Sequence, residues 1–503
     1  MATSGLGLAM TFAQAKDTYF FTVRHAIAGP QTWSYFAPFV LLPAAIMVPP
    51  EVLSHKQLMY YFLIPIYACL FHAWSVMGCW DVISMDGFLW ATYLLALEDP
   101  RVVFKRVRFL SGPLYGKEPE DSDGKLNGNG NGSTSSQEHG EKDISDVHFR
   151  MDHESYPKDL FARLRWTIDL VASDRMARWI TGNPRHDAKQ HEGAPSRLRW
   201  FREIFPSLFA AFFFMSLTTL LAHHDPWCFA PHQISIFTPY GPTPDGAPMT
   251  IRLLHQYIPS FIVRALSIGF YAWSIITFGF GLFAPPLVYL NYLTGFPPDN
   301  WSLQNLPPYF GSFTHGVLDN GVRGLWGSYW HSHLKQMVLT PGRVVLKLLG
   351  LDQPDARGKK HWVNAVLPLA GAFVFSGIIH MGLVPPSPAY SKSDLGPWSL
   401  RLRIASVFWV QPLGIAAEMG LAMLIKSVVP KRFKDEKGRI NEQNKLVQGV
   451  CRMGRLAWVL TWLCCCSPLF AIPFSDLGYW NMSTAAGRFP EWVSWFTGGG
   501  WFL

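Results

Sequence analysis

Seven stretches of the chain are apolar for about the length a helix needs to cross a bilayer. They run over 33–49, 58–79, 205–222, 258–292, 363–384, 404–425 and 455–474. A hydrocarbon core about 30 Å thick takes about 20 residues of α-helix. Inside it every backbone N–H and C=O must be paired within the protein, which leaves helices as the structure such segments can form. An eighth segment, "VISMDGFLWATYLLALE" at 82–98, reads as a weaker span or as a helix lying at the interface. The run at 258–292 is too long for one straight crossing, and Pro285-Pro286 near its end predict a kink or break there. The expected fold is all-α, a polytopic transmembrane bundle of about seven or eight spans. Composition agrees, with 49% hydrophobic and only 16% charged residues, against about a quarter charged in soluble domains.

The charges between the apolar stretches alternate. "RVVFKRVR" (101–108) and "RLRWFR" (197–202) bracket one basic loop, whereas 223–256 holds Arg252 and no lysine. The 293–362 loop is basic again, with Arg323, Lys335, Arg343 and Lys347 among its cations, as is "KRFKDEKGR" at 431–439. The 385–403 loop fits least well, because "SLRLR" ends it with arginines. By the positive-inside rule the 101–204, 293–362 and 426–454 loops face the cytosol. The net charge of +8 is then a topology signal, and no basic stretch interleaved with aromatics suggests a nucleic-acid groove. The organisation expected is N-terminal membrane helices over 1–100, a cytosolic loop over 101–204, a membrane core over 205–475 and a lumenal tail over 476–503. Within the loop, 117–146 is a polar low-complexity linker expected to stay disordered. Leu160, Phe161, Leu164 and Ile168 then recur at helical spacing. They describe an amphipathic helix, either on the cytosolic membrane surface or packed on the protein's own soluble face.

The N-terminal stretch reads as a poor signal peptide, and the cysteines do not form a disulfide framework. The N-terminus lacks a basic n-region before an apolar core, so insertion is expected through the first membrane helix, with residence in the endoplasmic reticulum. Of seven cysteines, Cys464, Cys465 and Cys466 sit side by side in an apolar run, and no CxxC is present. No internal repeat of the kind that marks many transporters is visible.

Three stretches carry candidate chemistry. In "VNAVLPLAGAFVFSGIIHMGLV" (363–384) His380 is the sole ionisable residue, with Ser376 four residues earlier on the same helical face and Gly377 leaving room for a neighbour. An intramembrane histidine marks a functional site or is satisfied by an adjacent helix. In "GLWGSYWHSHLKQ" (324–336), Trp326 and Trp330 share one face, and His331 and Lys335 another. His331 and His333 point apart on a helix, so they make a poor metal pair, and the tryptophans read as interfacial anchors or packing. In "FWVQPLGIAAEMG" (408–420), Gln411 and Glu418 are seven apart, nearly on one face. They serve either a reaction or an interhelical hydrogen bond.

Together these stretches resemble the wax-synthase-like branch of the membrane-bound O-acyltransferases, and most nearly its fungal members that acylate terpenoid or polyketide metabolites. The resemblance is carried by "NLPPYFGSFTHGVLDNGVRGLWGSYWHSHLKQ" (305–336) and "FVFSGIIHMG" (373–382). Pro307, Pro308, Phe310, Gly311, Arg323, Trp326, Gly327, Trp330 and His331 match the family pattern, followed by the apolar helix with Ser-Gly and a histidine. The chain departs from that pattern at Gly321, where the family has serine, at Leu325, where it has phenylalanine, and at Ser328 and Tyr329, where it has basic residues.

What the resemblance implies is transfer of an acyl group, acetyl by preference, from coenzyme A to a hydroxyl of a lipophilic secondary metabolite such as a terpenoid. His380 would be the general base. His331 would orient donor or acceptor, or bond developing charge. Trp330, Arg323 and Lys335 would contact the acyl donor, with Arg343 as a further partner for its phosphates. Ser376, Gln411 and Glu418 would support the site. Acyl-CoA is the co-substrate, no metal is required, and the partners are a lipophilic alcohol and the bilayer. Two other readings stay open: fatty-acyl transfer to a long-chain alcohol, as in wax synthesis, and a non-enzymatic polytopic transporter. The topology is testable through the sequons at Asn131 and Asn481. Asn481 alone is expected to be glycosylated in microsomes, and sugar on Asn131 would invert the orientation.

Overall fold

The computed structural model describes residues 32–76, 82–110, 150–173, 176, 179–182, 197–229, 233–242, 247–294, 309–330, 332, 334–352, 362–384, 395–429 and 445–480. The linker 117–146, Pro307, Pro308, His331, His333, Asn131 and Asn481 lie outside the described residues, as does the tail beyond Trp480.

Helices dominate. Five described helical runs are long and apolar enough to cross a membrane: His55–Ser75, Ile204–His224, Ser260–Leu290, Val363–Met381 and Pro397–Val428. A sixth arises if Lys445–Cys466 and Pro468–Asp476, bent by 46° at their junction, form one span. The seven or eight spans expected are reached only by adding shorter segments. The first, α1 (Thr32–Met47), is 16 residues long, because Pro49 and Pro50 end it. The weak segment at 82–98 is α3 (Val82–Thr92) followed by a π-helical turn, Tyr93–Leu97. Between them lies α2 (Ile64–Val76), the last part of the 55–75 run. Of the kink or break expected at Pro285-Pro286, the break is not present, since one 35-residue helix runs from Ser260 to Thr294 through both prolines. Prolines are tolerated in membrane helices when the freed carbonyls are satisfied locally.

The region read as a loop contains a small sheet that composition did not reveal. Strand β1 (Lys105–Leu110) is central, antiparallel to β2 (Arg150–Glu154) on one side and to β3 (Trp179–Ile180) on the other. The basic run "KRVRFL" that signals topology is therefore also a strand. Helix α4 (Leu160–Val171) starts at Asp159, whose carboxylate accepts the Ala162 N–H at 2.9 Å. Trp166 and Leu170 bury one face of it in a core shared with Leu58, Leu94, Leu95 and Trp179. Its opposite face carries Leu160, Phe161, Leu164 and Ile168, all exposed, Phe161 by 79%. The helix thus packs on the protein through residues the sequence pattern did not single out, and presents the expected apolar stripe outward.

Polar ties fix this unit beneath the ends of the first helices. Arg101 donates to the carbonyls of Val48 and Leu53, each at 2.9 Å, and Tyr156 donates to that of Ile46 at 2.7 Å. Arg106 is buried between two carboxylates, with Nη1 on Asp169 at 2.9 Å and Nε on Glu154 at 2.8 Å. Hydrogen bonds and charge from Asp169 and Glu154 outweigh the effect of burial and raise the guanidinium pKa. Removing one partner of such a group leaves a buried charge uncompensated, at a cost of about 3–5 kcal/mol. Arg106→Ala is therefore expected to lower the thermal unfolding midpoint of the detergent-purified protein by several degrees, whereas Lys105→Ala on the same strand should leave it unchanged.

Candidate active site

Eight further helices form or back the walls of one large cavity. They are α5 (Arg197–His224), α6 (Ser260–Thr294), α7 (Lys335–Leu348), α8 (Val363–Met381), α9 (Pro397–Trp409), α10 (Gln411–Val428), α11 (Lys445–Cys466) and α12 (Pro468–Asp476). The cavity has a volume of about 1400 Å³. Its walls are mostly apolar and rich in aromatic rings, drawn from α5, α6, the segment 309–332, α8, α9, α11 and α12. Among the described residues, no lysine, arginine, aspartate or glutamate lines it, and His380 is the one titratable imidazole in its wall.

His380 lies in the last turn of α8. Its Nδ1 is 2.7 Å from the Ser376 carbonyl oxygen. A carbonyl only accepts, so Nδ1 carries the hydrogen and donates, which leaves Nε2 of the neutral ring with a free lone pair. No described residue supplies a partner to Nε2, and the side chain is open to the cavity. Phe408 of α9 stacks against the imidazole with ring centroids 4.0 Å apart. Ser376 thus acts on His380 through its backbone, one helical turn away. Gly377 lets α9 approach, since a Cβ there would fall 2.3 Å from Trp409 Nε1 and 3.0 Å from the Ala405 carbonyl oxygen.

The stretch containing Trp326 and Trp330 is a π-helical turn, Leu325–Trp330, following a short helix, Gly321–Gly324. Both indoles line the cavity. Trp330 packs on Phe310 with centroids 5.1 Å apart, as part of the cavity wall. His331 lies outside the described residues, but its neighbours Trp330 and Ser332 both line the cavity that His380 lines. Gln411 is fully buried behind the wall, its Oε1 accepting from Trp326 Nε1 at 2.9 Å. Glu418 stands seven residues further along α10, and its Oε2 accepts the backbone N–H of Val322 at 2.9 Å. Gln411 and Glu418 therefore hold the 321–330 segment, and they do not line the cavity.

The cations are placed elsewhere. Arg323 and Lys335 are exposed and line no part of the cavity. Arg343 is half-buried and donates from Nη1 to Gln336 Oε1 at 2.9 Å; burial, opposed by the nearby Tyr93, holds its guanidinium pKa below the ordinary value. Sequence reasoning missed Phe408, the stacking partner of His380, although it stands three residues before Gln411. It also missed Asp319, which pairs with Arg452 at 2.7 Å and ties the same segment to α11. Among the described residues no group of three His, Cys, Asp or Glu side chains could hold a metal ion.

A membrane-embedded helical bundle, with one imidazole facing a large apolar cavity, is the class that fold and site define. Residues 306–388, which include the Trp326–Trp330 wall and His380, match the membrane bound O-acyl transferase family. Over this segment the chain is similar to that family, and its helices are those of an all-α membrane protein. It is 22% identical over 277 residues to an acetyltransferase of Arthrobotrys oligospora, covering 52% of this chain and 51% of that one. It is 29% identical over 158 residues to the acetyltransferase aurG of Calcarisporium arbuscula, covering 31% of this chain and 33% of that one. The chain thus spans about half the length of the first relative and a third of the second. No solved structure matches it.

Gly321, the departure from the family serine, has a physical cause in the structure. Its φ is +59°, and a Cβ at this position would lie 1.5 Å from Glu418 Oε1. Gly321→Ala is expected to expel the carboxylate from the Val322 N–H and to impose left-handed strain, costing about 2–4 kcal/mol. The check is the thermal aggregation midpoint of the purified protein, against Gly350→Ala, a positive-φ glycine whose Cβ would meet open space.

Proposed function

We propose that the protein is an acyl-CoA-dependent O-acyltransferase that moves an acetyl group onto a hydroxyl of a lipophilic secondary metabolite, a terpenoid being the type favoured, in the membrane of the endoplasmic reticulum. The observation that carries this reading is the imidazole of His380, with Nδ1 committed to the Ser376 carbonyl and Nε2 left open to an apolar cavity. A base so presented can take a proton from a bound hydroxyl without competition from water.

In the reaction the acceptor hydroxyl donates to His380 Nε2. As its proton transfers, the oxygen attacks the thioester carbonyl carbon, and the C–O bond forms. The tetrahedral intermediate then collapses with cleavage of the C–S bond. The imidazolium returns its proton to the departing sulfur, so coenzyme A leaves as the thiol and His380 is neutral again. His331, between two residues that line the cavity, is assigned to the developing negative charge or to orienting the donor. Phosphates do not suit walls without cations, so the nucleotide end of the donor stays outside the cavity, where Arg323 and Lys335 are the groups assigned to it. The preference for acetyl follows both relatives, which are named as acetyltransferases. A cavity of about 1400 Å³ leaves most of its space to the acceptor, which supports a bulky lipophile.

Microsomes carrying the protein are expected to move label from acetyl-coenzyme A onto one or more of farnesol, a tetracyclic terpenoid alcohol and hexadecan-1-ol. His380→Ala should lower that rate by about 10²–10⁴-fold, the range for loss of a general base. His331→Ala should also lower it. Equal transfer by wild type and His380→Ala would sink the base assignment, and a gradient-driven flux needing no acyl donor would favour a transporter.

A further inference from the structure

The cavity wall beside His380 is held from behind by one amide. Gln411 is 0% exposed and lines no part of the cavity. Its Oε1 accepts from two indoles, Trp326 Nε1 at 2.9 Å and Trp462 Nε1 at 3.0 Å. Its Nε2 donates to the Val407 carbonyl at 2.6 Å and to Cys466 Sγ at 3.3 Å. Indole N–H groups only donate and a carbonyl only accepts, so the orientation of the amide is fixed by its partners. Every hydrogen-bonding site it owns is used. Those partners come from three elements, the Leu325–Trp330 turn, α9 and α11, and Trp326, Val407 and Cys466 all line the cavity.

From Trp326 the contacts run to the imidazole. Its ring lies 5.9 Å from that of Phe408 and 6.2 Å from that of Phe373, nearly perpendicular to the latter. Phe408 stacks on His380, and Phe373 is one turn before Ser376, whose carbonyl sets the tautomer. Without an acceptor the Trp326 N–H would be unpaired in an apolar interior, and the indole could relieve that by turning. We infer that Gln411 is a positioning residue for acyl transfer: by fixing Trp326, and through it Phe408, it sets the direction in which His380 presents Nε2 to the acceptor hydroxyl. This rests on the acyl-transfer reading above.

The test uses the full-length protein in lipid nanodiscs, as wild type, Gln411→Leu, Gln411→Glu, Trp326→Phe and the Gln411→Leu/Trp326→Phe double variant. Two quantities are measured on each. One is kcat and KM for acetyl transfer to whichever of the three alcohols accepts best. The other, which needs no turnover, is the rate at which diethyl pyrocarbonate modifies the peptide containing His380. A displaced catalytic group costs on the order of 10²-fold, so Gln411→Leu is expected to lower kcat by about 30–100-fold with KM changed less than about twofold. Gln411→Glu, protonated in this interior, keeps an oxygen for the indoles and a donor for Val407, and should retain kcat within about fivefold. Trp326→Phe should reproduce the Gln411→Leu defect, and the double variant should add less than about twofold to it, since both break one interaction. The carbethoxylation rate at His380 should change several-fold in Gln411→Leu and stay near wild type in Gln411→Glu.

Equal impairment of the leucine and glutamate variants would overturn the proposal, as would defects that multiply in the double variant, or a Gln411→Leu protein whose loss is all in KM. If Gln411→Leu fails to fold, Gln411→Glu and Trp326→Phe decide by the same two readouts. If wild type acetylates none of the alcohols, the acyl-transfer reading fails for this panel. The reactivity of His380 then still supports the positioning contact if it shifts in Gln411→Leu or Trp326→Phe, and refutes it if it does not.

Discussion

Inside a bilayer a polar side chain has no water to fall back on, and the structure is organised around that fact. Burying a hydroxyl or amide without a partner costs several kcal/mol in an apolar medium. The polar residues singled out in the core helices each solve the problem differently. Gln411 spends all its donors and acceptors on four partners. Glu418 spends one oxygen on a backbone N–H at a tight turn. His380 satisfies only Nδ1. Of these three, the residue whose ring nitrogen is left open is the one that faces the cavity.

Much of this was legible in the sequence, for a reason that is itself physical. Crossing a bilayer imposes a length and an apolarity on each helix that a single sequence displays. Five of the expected segments appear as helices long enough to span, and the bent α11–α12 pair matches a sixth. The placement of His380 could also be anticipated, since an imidazole is costly in such a segment. The three-stranded sheet was not legible. Its strands β1 and β2 are separated by the polar linker, and strand pairing across a distance leaves no local period to detect. The basic pattern of β1 was read for topology, and the same residues serve both roles: Arg106 is a loop cation in sequence and a buried ion-pair partner in space.

The partners of the polar residues were less legible than their existence. Gln411 and Glu418, seven apart, fall on one face of α10, and that face was visible. What it meets was not. The segment it holds, 321–330, is 90 or so residues earlier in the chain and adopts a π-helical turn, a geometry that no simple spacing rule announces. Ser376 shows the opposite error. Its side chain drew attention because of its spacing from His380, yet its carbonyl makes the contact. A helix offers that carbonyl at every position, so the orienting bond follows from the histidine's place in α8 and not from the serine.

These placements also separate the two halves of the proposed reaction. Among the described residues the cavity wall supplies one imidazole and no cation, while Arg323 and Lys335 are exposed and Arg343 is half-buried, all three outside it. An acyl donor has both characters, a charged nucleotide and a neutral thioester at the end of a flexible arm. Walls of aromatic rings admit the neutral end and exclude the charged one. The same exclusion keeps water from competing with the acceptor for the acyl group, since a cavity with few polar contacts holds water poorly. Selection of an alcohol over water then needs no dedicated residue. It follows from the composition of the wall, provided that the few polar groups behind it, Gln411 foremost, stay fully bonded and out of the cavity.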